Sequence, residues 1–398
     1  MVRILTFSTL FPSSLRPGHG IFVETRLREL VSSGKVEARV VAPVPWFFST
    51  HPRFGEYARM ARIPRREHHN GFDVQHPRYF LPPKVSMNIA PFALALGAMP
   101  ALQGLLDEGY DFDVIDAHYY YPDGVAAALL ACHFNKPFTV TARGSDINLI
   151  AHHAIPRRLM RWASTRAAAS IGVSAALTKE MQQIGMPAAS LITMPNGVDL
   201  DLFCAHPPAA ACSELGWPQG PKLLSVGNLV ENKGHHIAIE ALAQLPEFRL
   251  FIAGEGPLRR ALELLASQIN VADRVQFLGR LNQYQLAKCY SAADVLVLAS
   301  SREGWPNVLL ESMSCGTPVV ATDVGGVAEI VTSSKVGRLM PARTVSDLVD
   351  AVVDLWQALP DRALVRAHAQ ECSWQGTTEA QIGLFSRITA KALEAVNA

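Results

Sequence analysis

Closely spaced cysteines are absent from this sequence, and their absence excludes two kinds of small stabilising site. The 398 residues contain six cysteines, and no two of them form a Cys-x-x-Cys pair. A disulfide framework or a structural zinc site would require regular, close cysteine spacing, so neither is indicated. The pattern is typical of a reducing compartment, and we expect the protein to be cytoplasmic.

Uninterrupted hydrophobic runs are also few. The N-terminal run MVRILTFSTLFP carries no small-residue cleavage pattern, so it predicts a first strand and not an export signal. The most apolar region starts at Ile89 and is interrupted by Pro91 and Pro100. Because this region is barely long enough to cross a bilayer, we expect a helix that lies against protein or against a membrane surface.

A strong net charge is absent as well, but the two halves of the chain differ. Residues 1–200 contain 20 Lys and Arg against 15 Asp and Glu, whereas residues 201–398 contain 16 against 20. The first half is therefore the one suited to an anionic partner. Part of its excess lies in the segment PRRLMRWASTR, with Arg157, Arg158, Arg161 and Arg166. Two interpretations stay open for these arginines, a solvated helix face and a contact with an anionic membrane surface.

Strand-like runs alternate with helical patterns in both halves of the chain. The first half contains VRILTFS, VEARVVA, DVIDA, PFTVTA, SIGVS and LITMP, and the second contains KLLSVGN, FRLFIAGEG, RVQFLG, ADVLVLAS, TPVVATDVGG and VGRLM. Repeated βα units predict an α/β fold with two Rossmann-like, doubly wound parallel sheets. In such sheets ligands bind at the carboxyl ends of the strands, and two sheets that face each other form a cleft. The Pro- and Ala-rich stretch after PNGVDLDLF marks the junction, so we expect domains 1–200 and 201–374.

Glycine-rich turns follow two strands of the second predicted sheet. SVGNLVENKGH turns through Gly227 and presents Lys233 at the start of the next helix, and IAGEGPLRRAL turns through Gly254 and Gly256. Amide groups and the positive dipole end at a helix start favour phosphate. The turns match neither the G-x-G-x-x-G nor the G-x-x-x-x-G-K-[ST] pattern, so neither a dinucleotide site nor a P-loop is supported.

The stretch REGWPNVLLE places two carboxylates around a predicted helix start. Pro306 suits the first turn of a helix, so Asn307 and Val308 would offer amides near its beginning. Glu303 would then lie in the preceding loop, with Glu311 inside the helix. Because a carboxylate can accept two hydroxyl hydrogen bonds, it suits the diol of a sugar or a ribose. Diol acceptors beside phosphate donors indicate a sugar nucleotide.

These segments resemble the retaining glycosyltransferases of family 4, which have the two-domain GT-B fold. EGWPNVLLESMSCGTPVVATDVGGVAEIV follows the E-x7-E signature of that family, and MPNGVDLDLF is similar to its Asn-Gly-Val-Asp junction. SVGNLVENKGH, FIAGEGPLR and PGHGIFVETRLREL resemble its phosphate-binding turn, its Gly-x-Gly-Pro turn and its N-terminal glycine loop. CSWQGTTEAQIGLFSRI resembles the closing helix, so about 375–398 is expected to complete the first domain. The resemblance covers nearly the whole chain and suggests a bacterial-type transferase acting on cell-surface polysaccharide or glycolipid.

The resemblance implies a role for each matching residue. Glu303 would contact donor-sugar hydroxyls, Glu311 would hold the ribose, and Lys233 would neutralise the diphosphate. His118, in DVIDAHYYYPDG, would lie near the sugar from the opposite domain. The other expected substrate-binding residues lie at turns and helix starts: Gly20, Arg143, Asp146, Gly227, Asn228, Gly254, Gly256, Asn307 and Val308.

Two positions depart from the family pattern, and two others have a purely structural interpretation. Asn228 stands where many members have arginine, and Arg143 stands where histidine is common. Arg143 either compensates for the missing charge or binds an anionic acceptor. Asp146 either contacts substrate or caps the following helix, and Gly20 either approaches substrate or only permits a turn.

The resulting hypothesis is a retaining, metal-independent glycosyltransferase that uses a nucleoside-diphosphate sugar and a saccharide or lipid-linked acceptor. No cofactor, metal or nucleic acid is expected. The DFD run at Asp111–Asp113 imitates a metal-binding DxD motif, but it precedes a strand and so lies away from the strand's carboxyl end. Two alternatives remain, a nucleotide-sugar 2-epimerase of the same fold and a non-catalytic sugar-nucleotide-binding protein. The sequence leaves the donor base, the sugar and the acceptor open.

Overall fold

Strand and helix patterns recur twice along the sequence, and the computed structural model, which describes residues 1–81 and 86–397, folds each series as a separate unit. The first unit comprises Met1–Asn196 and the residues from Gln375 onward, and the second comprises Gly197–Trp374. The chain thus passes from the first unit to the second after Asn196 and returns to the first at Gln375. Each unit is a domain with its own sheet.

The described strands are short, and most follow the predicted runs. In the first domain they are β1 (Val2–Phe7), β2 (Val36–Val41), β3 (Val44–Pro45), β4 (Arg66–His69), β5 (Phe72–Gln75), β6 (Arg78–Tyr79), β7 (Val114–His118), β8 (Phe138–Ala142), β9 (Ala169–Gly172) and β10 (Leu191–Thr193). In the second they are β11 (Lys222–Val226), β12 (Arg249–Ala253), β13 (Val275–Gly279), β14 (Val295–Leu298), β15 (Val319–Thr322) and β16 (Gly337–Met340).

The helices connect these strands. Those of the first domain are α1 (Ile21–Ser32), α2 (Gly55–Ala61), α3 (Ser86–Asp107), α4 (Val125–Phe134), α5 (Ser145–Asn148), α6 (Ala154–Ser164) and α7 (Ala175–Gln183). Those of the second are α8 (Pro208–Leu215), α9 (His235–Ala241), α10 (Arg259–Gln268), α11 (Gln283–Ala292), α12 (Asn307–Ser314), α13 (Val327–Ile330), α14 (Val345–Gln357) and α15 (Arg362–Gln370). The closing helix, α16 (Trp374–Asn397), belongs to the first domain from Gln375 onward.

The first domain is built on an eight-stranded sheet with the order β10-β9-β8-β7-β1-β2-β5-β4. Its central strands β7 and β8 bury every residue, as parallel strands covered by helices on both faces must. The six predicted runs of this half are β1, β2, β7, β8, β9 and β10, so the parallel sheet is confirmed. The antiparallel pair β4–β5 was not predicted, nor was the small parallel pair β3–β6.

The expected apolar helix is α3, and it continues through Pro91 and Pro100, the two residues that interrupt the apolar run in sequence. Both prolines lie inside it, and each removes one donor from the backbone ladder without ending the helix. By length and composition alone, Met87–Asp107 could cross a membrane, although helices in the core of other proteins meet the same criterion. One face of α3 is in fact buried in the domain, through Leu94, Ala98 and Leu102.

The closing helix α16 supplies part of the first domain's core. Phe385 is fully buried, and with Leu384 and Ile388 it joins the hydrophobic cluster that contains Ile4 and Val23. These contacts explain why a segment that follows the second domain in sequence belongs to the first domain in space.

The second domain has a six-stranded, wholly parallel sheet with the order β13-β12-β11-β14-β15-β16. All six strands correspond to predicted runs, and the order is that of a Rossmann fold. The order reverses between β11 and β14, the place where such sheets bind ligands beyond the strand ends. The loops that follow β11, β12 and β14 therefore meet at one edge of this sheet.

Candidate active site

The loop after β11 brings a lysine to the switch point of the second sheet. Lys233 ends a short 3-10 turn, and Gly234 (φ 70°) joins that turn to α9. A Cβ atom at Gly234 would overlap the carbonyl oxygen of Ala299, just beyond β14. Only glycine therefore lets the turn pack against the neighbouring strand end, which fixes the position from which Lys233 extends.

The loops after β11 and β12 pack backbone against backbone. Gly254 has a φ of 150°, and a Cβ atom there would overlap the carbonyl oxygen of Gly227. Gly256 faces the backbone of Leu229 in the same way, and the Leu229 amide donates to the Glu255 carbonyl at 2.9 Å. The predicted glycine residues thus stand side by side, and each has a structural reason to be glycine. Their predicted contacts with phosphate stay a prediction.

A buried histidine supports the first of these loops. His235 is 2% exposed, and burial lowers its pKa to about 4, although the Asn228 carbonyl opposes this shift. The neutral ring lies 2.9 Å from the Ser225 hydroxyl at Nδ1 and 3.2 Å from the Asn228 carbonyl at Nε2. We infer that Nε2 carries the proton and donates to that carbonyl. The Asn228 side chain itself is exposed.

Lys233 and Glu303 form an ion pair in this domain. The Lys233 Nζ atom lies 2.6 Å from Glu303 Oε1, and the two side chains are only 23% and 11% exposed. Glu303 is held in the loop after β14, where Gly325 approaches so closely that a Cβ would overlap the Glu303 carbonyl oxygen. Arg343, which the sequence did not indicate, donates to Ala299 and Glu231 carbonyls at 2.8 and 2.7 Å. It therefore joins the lysine turn to the end of β14.

Glu311 lies further along the same segment, in the second turn of α12. Pro306 is the N-cap of α12, and Asn307 and Val308, which were expected near the helix start, are its first two residues. Tyr290, which is fully buried, donates its hydroxyl to Glu311 Oε2 at 2.8 Å. Burial raises the pKa of Glu311 to about 7, and the bond from Tyr290 only partly opposes this. The domain thus holds a carboxyl group that is poorly solvated and has one strong donor.

In the first domain, His118 is the centre of a buried chain of polar groups. Its Nδ1 atom accepts a hydrogen bond from Arg143 at 2.7 Å, because a guanidinium can only donate. Its Nε2 atom therefore carries the proton, 3.2 Å from Asp116 Oδ2. Burial lowers the pKa of His118 to about 4, against the opposing effect of Asp116. The imidazole is neutral and both ring nitrogens have protein partners.

Arg143 is fixed within the first domain by three neighbours. Besides His118, it donates to the Asn196 side chain at 2.9 Å and lies over the ring of Phe22 at 5.0 Å. Burial and the nearby Arg26 lower its pKa to about 9, so the guanidinium is still charged near neutrality. Neither of the two expected roles of Arg143 is decided by these contacts.

Arg26, a buried arginine, is linked to the Asp116 carboxylate through a glutamine of the closing helix. Arg26 is 1% exposed and donates through Nε to Gln381 at 2.6 Å, and Gln381 donates to Asp116 Oδ2 at 3.1 Å. Although burial acts in the opposite direction, His118 and Arg26 together hold the pKa of Asp116 below its usual value. Asp116 is therefore an anion that positions His118.

Asp146 has a different role from the expected substrate contact. It is fully buried, and its carboxylate accepts the backbone amides of Tyr120 at 2.6 Å, Gly144 at 2.8 Å and Arg143 at 3.1 Å. With no exposed surface it cannot touch a ligand, and it instead joins the loops after β7 and β8. Gly20 (φ 74°) is the N-cap of α1, and a Cβ there would overlap the Leu10 carbonyl oxygen.

Comparison with known proteins assigns this arrangement to a family. Residues 18–202 match the model of Glycosyltransferase Family 4, and residues 213–369 match that of Glycosyl transferases group 1. The chain belongs to these glycosyltransferases and has the GT-B fold. It is 29% identical over 336 residues to the putative teichuronic acid biosynthesis glycosyltransferase TuaC of Bacillus subtilis (strain 168), covering 83% of each chain.

Solved glycosyltransferases share the fold of this glycosyltransferase. Sucrose-phosphate synthase from Thermosynechococcus elongatus superposes with a TM-score of 0.80 at 21% identity, covering 98% of this chain and 100% of that one. Anabaena HepE in complex with UDP-glucose gives 0.71 at 20% identity, covering 96% and 98%. At these identities the likeness establishes the fold alone.

Two further sequence expectations for the glycosyltransferase concern charged groups outside this arrangement. The four arginines of the basic segment are exposed on or just beyond α6, as both open interpretations require. In the DFD run, Asp111 pairs with Lys136 at 2.6 Å and Asp113 accepts the Arg3 amide at 2.8 Å. Within residues 1–81 and 86–397, no three His, Cys, Asp or Glu side chains group as a metal site.

Proposed function

We propose that this glycosyltransferase moves a sugar from a nucleoside-diphosphate donor to a hydroxyl of a saccharide or lipid-linked acceptor, with retention of configuration and without a metal ion. The Lys233–Glu303 pair carries the proposal, because it places a cation and a diol acceptor 2.6 Å apart at the switch point of the second sheet. A solved structure of the same fold was obtained with UDP-glucose, which supports a donor of this class.

Donor binding would use the second domain. Lys233 and the amides at the start of α12 would take the diphosphate charge, since helix starts and lysines both favour phosphate. Glu303 would accept sugar hydroxyls, and Glu311 would accept the ribose diol. The raised pKa of Glu311 supports this role, because two hydroxyl donors would supply the solvation that the partly buried carboxylate lacks.

The reaction would break the bond between the anomeric carbon and the diphosphate oxygen. Lys233 would stabilise the negative charge that develops on the leaving group, the type of preorganised electrostatic effect that dominates many enzymes. The acceptor hydroxyl would attack from the leaving-group face and pass its proton to the departing phosphate oxygen. No separate protein base is then required, which agrees with a His118 whose two ring nitrogens are already occupied.

The donor test begins with binding. UDP, GDP and ADP are compared by thermal shift, because a ligand that binds the native state raises the melting temperature. The nucleotide that stabilises the wild type should stabilise the Lys233→Ala variant less. Equal shifts for all three, or no shift, would remove the support for a nucleoside-diphosphate donor.

Transfer is tested with radiolabelled sugar donors, with and without lipid-linked saccharide, and with EDTA as a metal control. Label in the acceptor, α-anomeric stereochemistry from an α-donor and insensitivity to EDTA are the expected results. An altered sugar released without acceptor would instead identify a 2-epimerase, and binding without turnover a sugar-nucleotide-binding protein.

We place the enzyme in the cytoplasm at the inner face of the membrane, which cell fractionation tests.

A further inference from the structure

The first domain exposes an apolar surface that the proposed reaction does not use. Among the described residues, half of the exposed large hydrophobic side chains fall within 46–57 and 80–96. Scattered single apolar side chains are normal on a protein surface, but a contiguous group indicates a binding partner. The surface has two parts, one aromatic and one helical.

The first part is aromatic and lies at the end of the small sheet β3–β6. The Trp46 amide donates to the Tyr79 carbonyl at 2.7 Å, so Trp46 and Phe80 leave the sheet side by side with their rings 5.9 Å apart. Phe48 and Tyr57 flank Phe47, with ring separations of 4.5 and 5.3 Å. Phe48 is 68% exposed and Phe80 is 60% exposed. The outer members of the group therefore face water.

The second part is the outer face of α3. Leu94, Ala98 and Leu102 bury one side of this helix, yet the opposite side carries Phe92 and Leu96, and Leu96 is 69% exposed. Ile89 extends the exposed face towards the helix start, where Met87, on the side of Leu94, is exposed as well. No Asp, Glu, Lys or Arg occurs from residue 86 to residue 106. A helix that is apolar on both sides is expected to be covered on both sides.

A glycine brings the two parts together. A Cβ atom at Gly97 would be 2.6 Å from the Arg78 carbonyl oxygen and 2.8 Å from the Tyr79 Cβ, so α3 packs directly on β6. Phe80 is the residue after Tyr79, so the backbone that carries its ring passes beside α3. We call the combined surface the apolar face; its members are Trp46, Phe48, Tyr57 and Phe80 together with Ile89, Phe92 and Leu96 of α3.

Positive charge accompanies the apolar face. Residues 46–81 contain six arginines against three acidic residues. Arg53, Arg62 and Arg65 are exposed, and the Arg53 guanidinium lies over the Phe54 ring at 4.6 Å. Aromatic rings, aliphatic side chains and arginines in one surface are the composition of proteins that lie on anionic membranes. The positive charge favours anionic lipid over a neutral or basic protein partner, and the side chains beside it are those that enter a bilayer interface.

A cavity opens next to this surface. It measures about 210 Å³ and is lined by Pro45, Met60 and Tyr79 together with Arg16 and Ser13. Pro45 and Tyr79 directly precede Trp46 and Phe80. The Ser13 hydroxyl is buried and has no hydrogen-bond partner in the part of the chain that the structure describes. A cavity with a mostly apolar lining and a few polar groups suits an amphipathic ligand, and it lies beside the apolar face.

We propose that the apolar face docks on an anionic lipid bilayer, with its aromatic rings at the head-group level and the neighbouring arginines on lipid phosphates. The α6 arginines are then a solvated face, since Ile155 is the large hydrophobic side chain of α6 that stands exposed, at 50%. The inference deepens the membrane location given under the proposed function and rests on it. Because docking is measured without donor, acceptor or turnover, its failure is distinguishable from a failure of sugar transfer.

Vesicle flotation of the full chain tests the proposal. Phosphatidylcholine vesicles are compared with vesicles that also contain phosphatidylglycerol, and salt is then raised. Binding should require the anionic lipid and weaken with salt. The Phe48→Ser/Leu96→Ser variant should bind at least roughly tenfold less, because two side chains lose burial in the bilayer interface. Melting temperatures verify that each variant is folded.

Two matched variants make the result specific. Tyr284→Ser/Leu364→Ser removes equally exposed side chains from the second domain, at 75% and 57% exposure, and should float like the wild type. Arg157→Gln/Arg158→Gln removes charge from α6 and should also float normally. Loss of flotation only in the α6 variant, or no flotation of the wild type, would overturn the proposal. A third result would also overturn it: the Phe48→Ser/Leu96→Ser variant floats like the wild type but has a different sedimentation coefficient. That result would identify the apolar face as a contact between copies of the chain.

Discussion

Replacing Glu311 by glutamine should make the second domain more stable and its ligand binding weaker. Burial raises the pKa of this carboxyl from 4.5 to about 7, so the native state holds its proton more tightly than the unfolded chain does. The native state therefore binds more protons between these pH values, and stability falls as pH rises through that interval. Glutamine keeps an oxygen for the Tyr290 hydroxyl but carries no titrating proton.

The size of the stability change follows from the shift of the Glu311 pKa. A displacement of the pKa from 4.5 to about 7 corresponds to a loss on the order of 3 kcal/mol once the carboxyl is ionised. The stability difference between variant and wild type should therefore grow in the variant's favour by that amount between about pH 4.5 and pH 8. Affinity for the nucleoside diphosphate should fall roughly tenfold or more, since a hydrogen bond to a charged group is lost.

Urea unfolding at a series of pH values, followed by tryptophan fluorescence and circular dichroism, measures the first effect, and calorimetry measures the second. Glu247→Gln is the control, because it makes the same chemical change at an exposed carboxylate. If the difference in unfolding free energy between Glu311→Gln and the wild type did not change with pH, the argument that desolvation raises the pKa of Glu311 would be refuted. Unchanged nucleotide affinity would refute the ribose role and leave the stability argument intact.

Three other changes have definite expected outcomes. Lys233→Ala should lower turnover, measured as nucleoside diphosphate released, about tenfold or more, because charge stabilisation of the leaving group is lost. Lys288→Ala, which removes an exposed partner of Glu214, should leave turnover unchanged. Near-wild-type turnover of Lys233→Ala would contradict the role of Lys233 in stabilising the leaving group. Gly254→Ala should cost about 2 kcal/mol or more of stability, because the new methyl overlaps the Gly227 carbonyl at a φ of 150°. Gly376→Ala, which meets open space in α16, should be neutral or stabilising. Equal melting temperatures for the two variants would be the contrary result. His118→Gln should lower the free energy of unfolding near pH 7. The difference from wild type should shrink by on the order of 3 kcal/mol as pH falls from 6.5 to about 4, because the buried wild-type ring resists protonation and the wild type therefore loses stability over that interval. A difference in unfolding free energy that stays constant with pH, measured by denaturation curves, would argue against a buried neutral imidazole.

The parallel sheets could be predicted because their strands are apolar runs of the right length between helical patterns. The pairs β4–β5 and β3–β6 lacked that signal. β4 has the sequence REHH with no fully buried residue, and β3 and β6 have two residues each. The Asn70-Gly71 step was the available clue, since both residues have positive φ and this pair favours tight hairpins. Polar edge strands are recognised by their turns more readily than by their own hydrophobicity.

Individual site residues could be predicted only where a local motif contains them. Glu303, Glu311 and Lys233 stand in motifs with fixed spacing, but the partners that set their environment do not. Tyr290 reaches Glu311 from a different helix, and Gln381 reaches Asp116 across 265 positions of sequence. Such pairings depend on how helices pack on a sheet, and no window of sequence contains both members. Asp146 shows the converse, because a polar residue in a motif-like segment proved to be fully buried.

The contribution of α16 to the first domain has a consequence for biosynthesis. Arg26 and Asp116 emerge early from the ribosome, but the glutamine that joins them and the phenylalanine that fills the space beside β1 are translated only after the whole second domain. The part of the protein made first is thus the part completed last. A nascent chain arrested at residue 374 holds every strand of both sheets while lacking the segment that closes the earlier one.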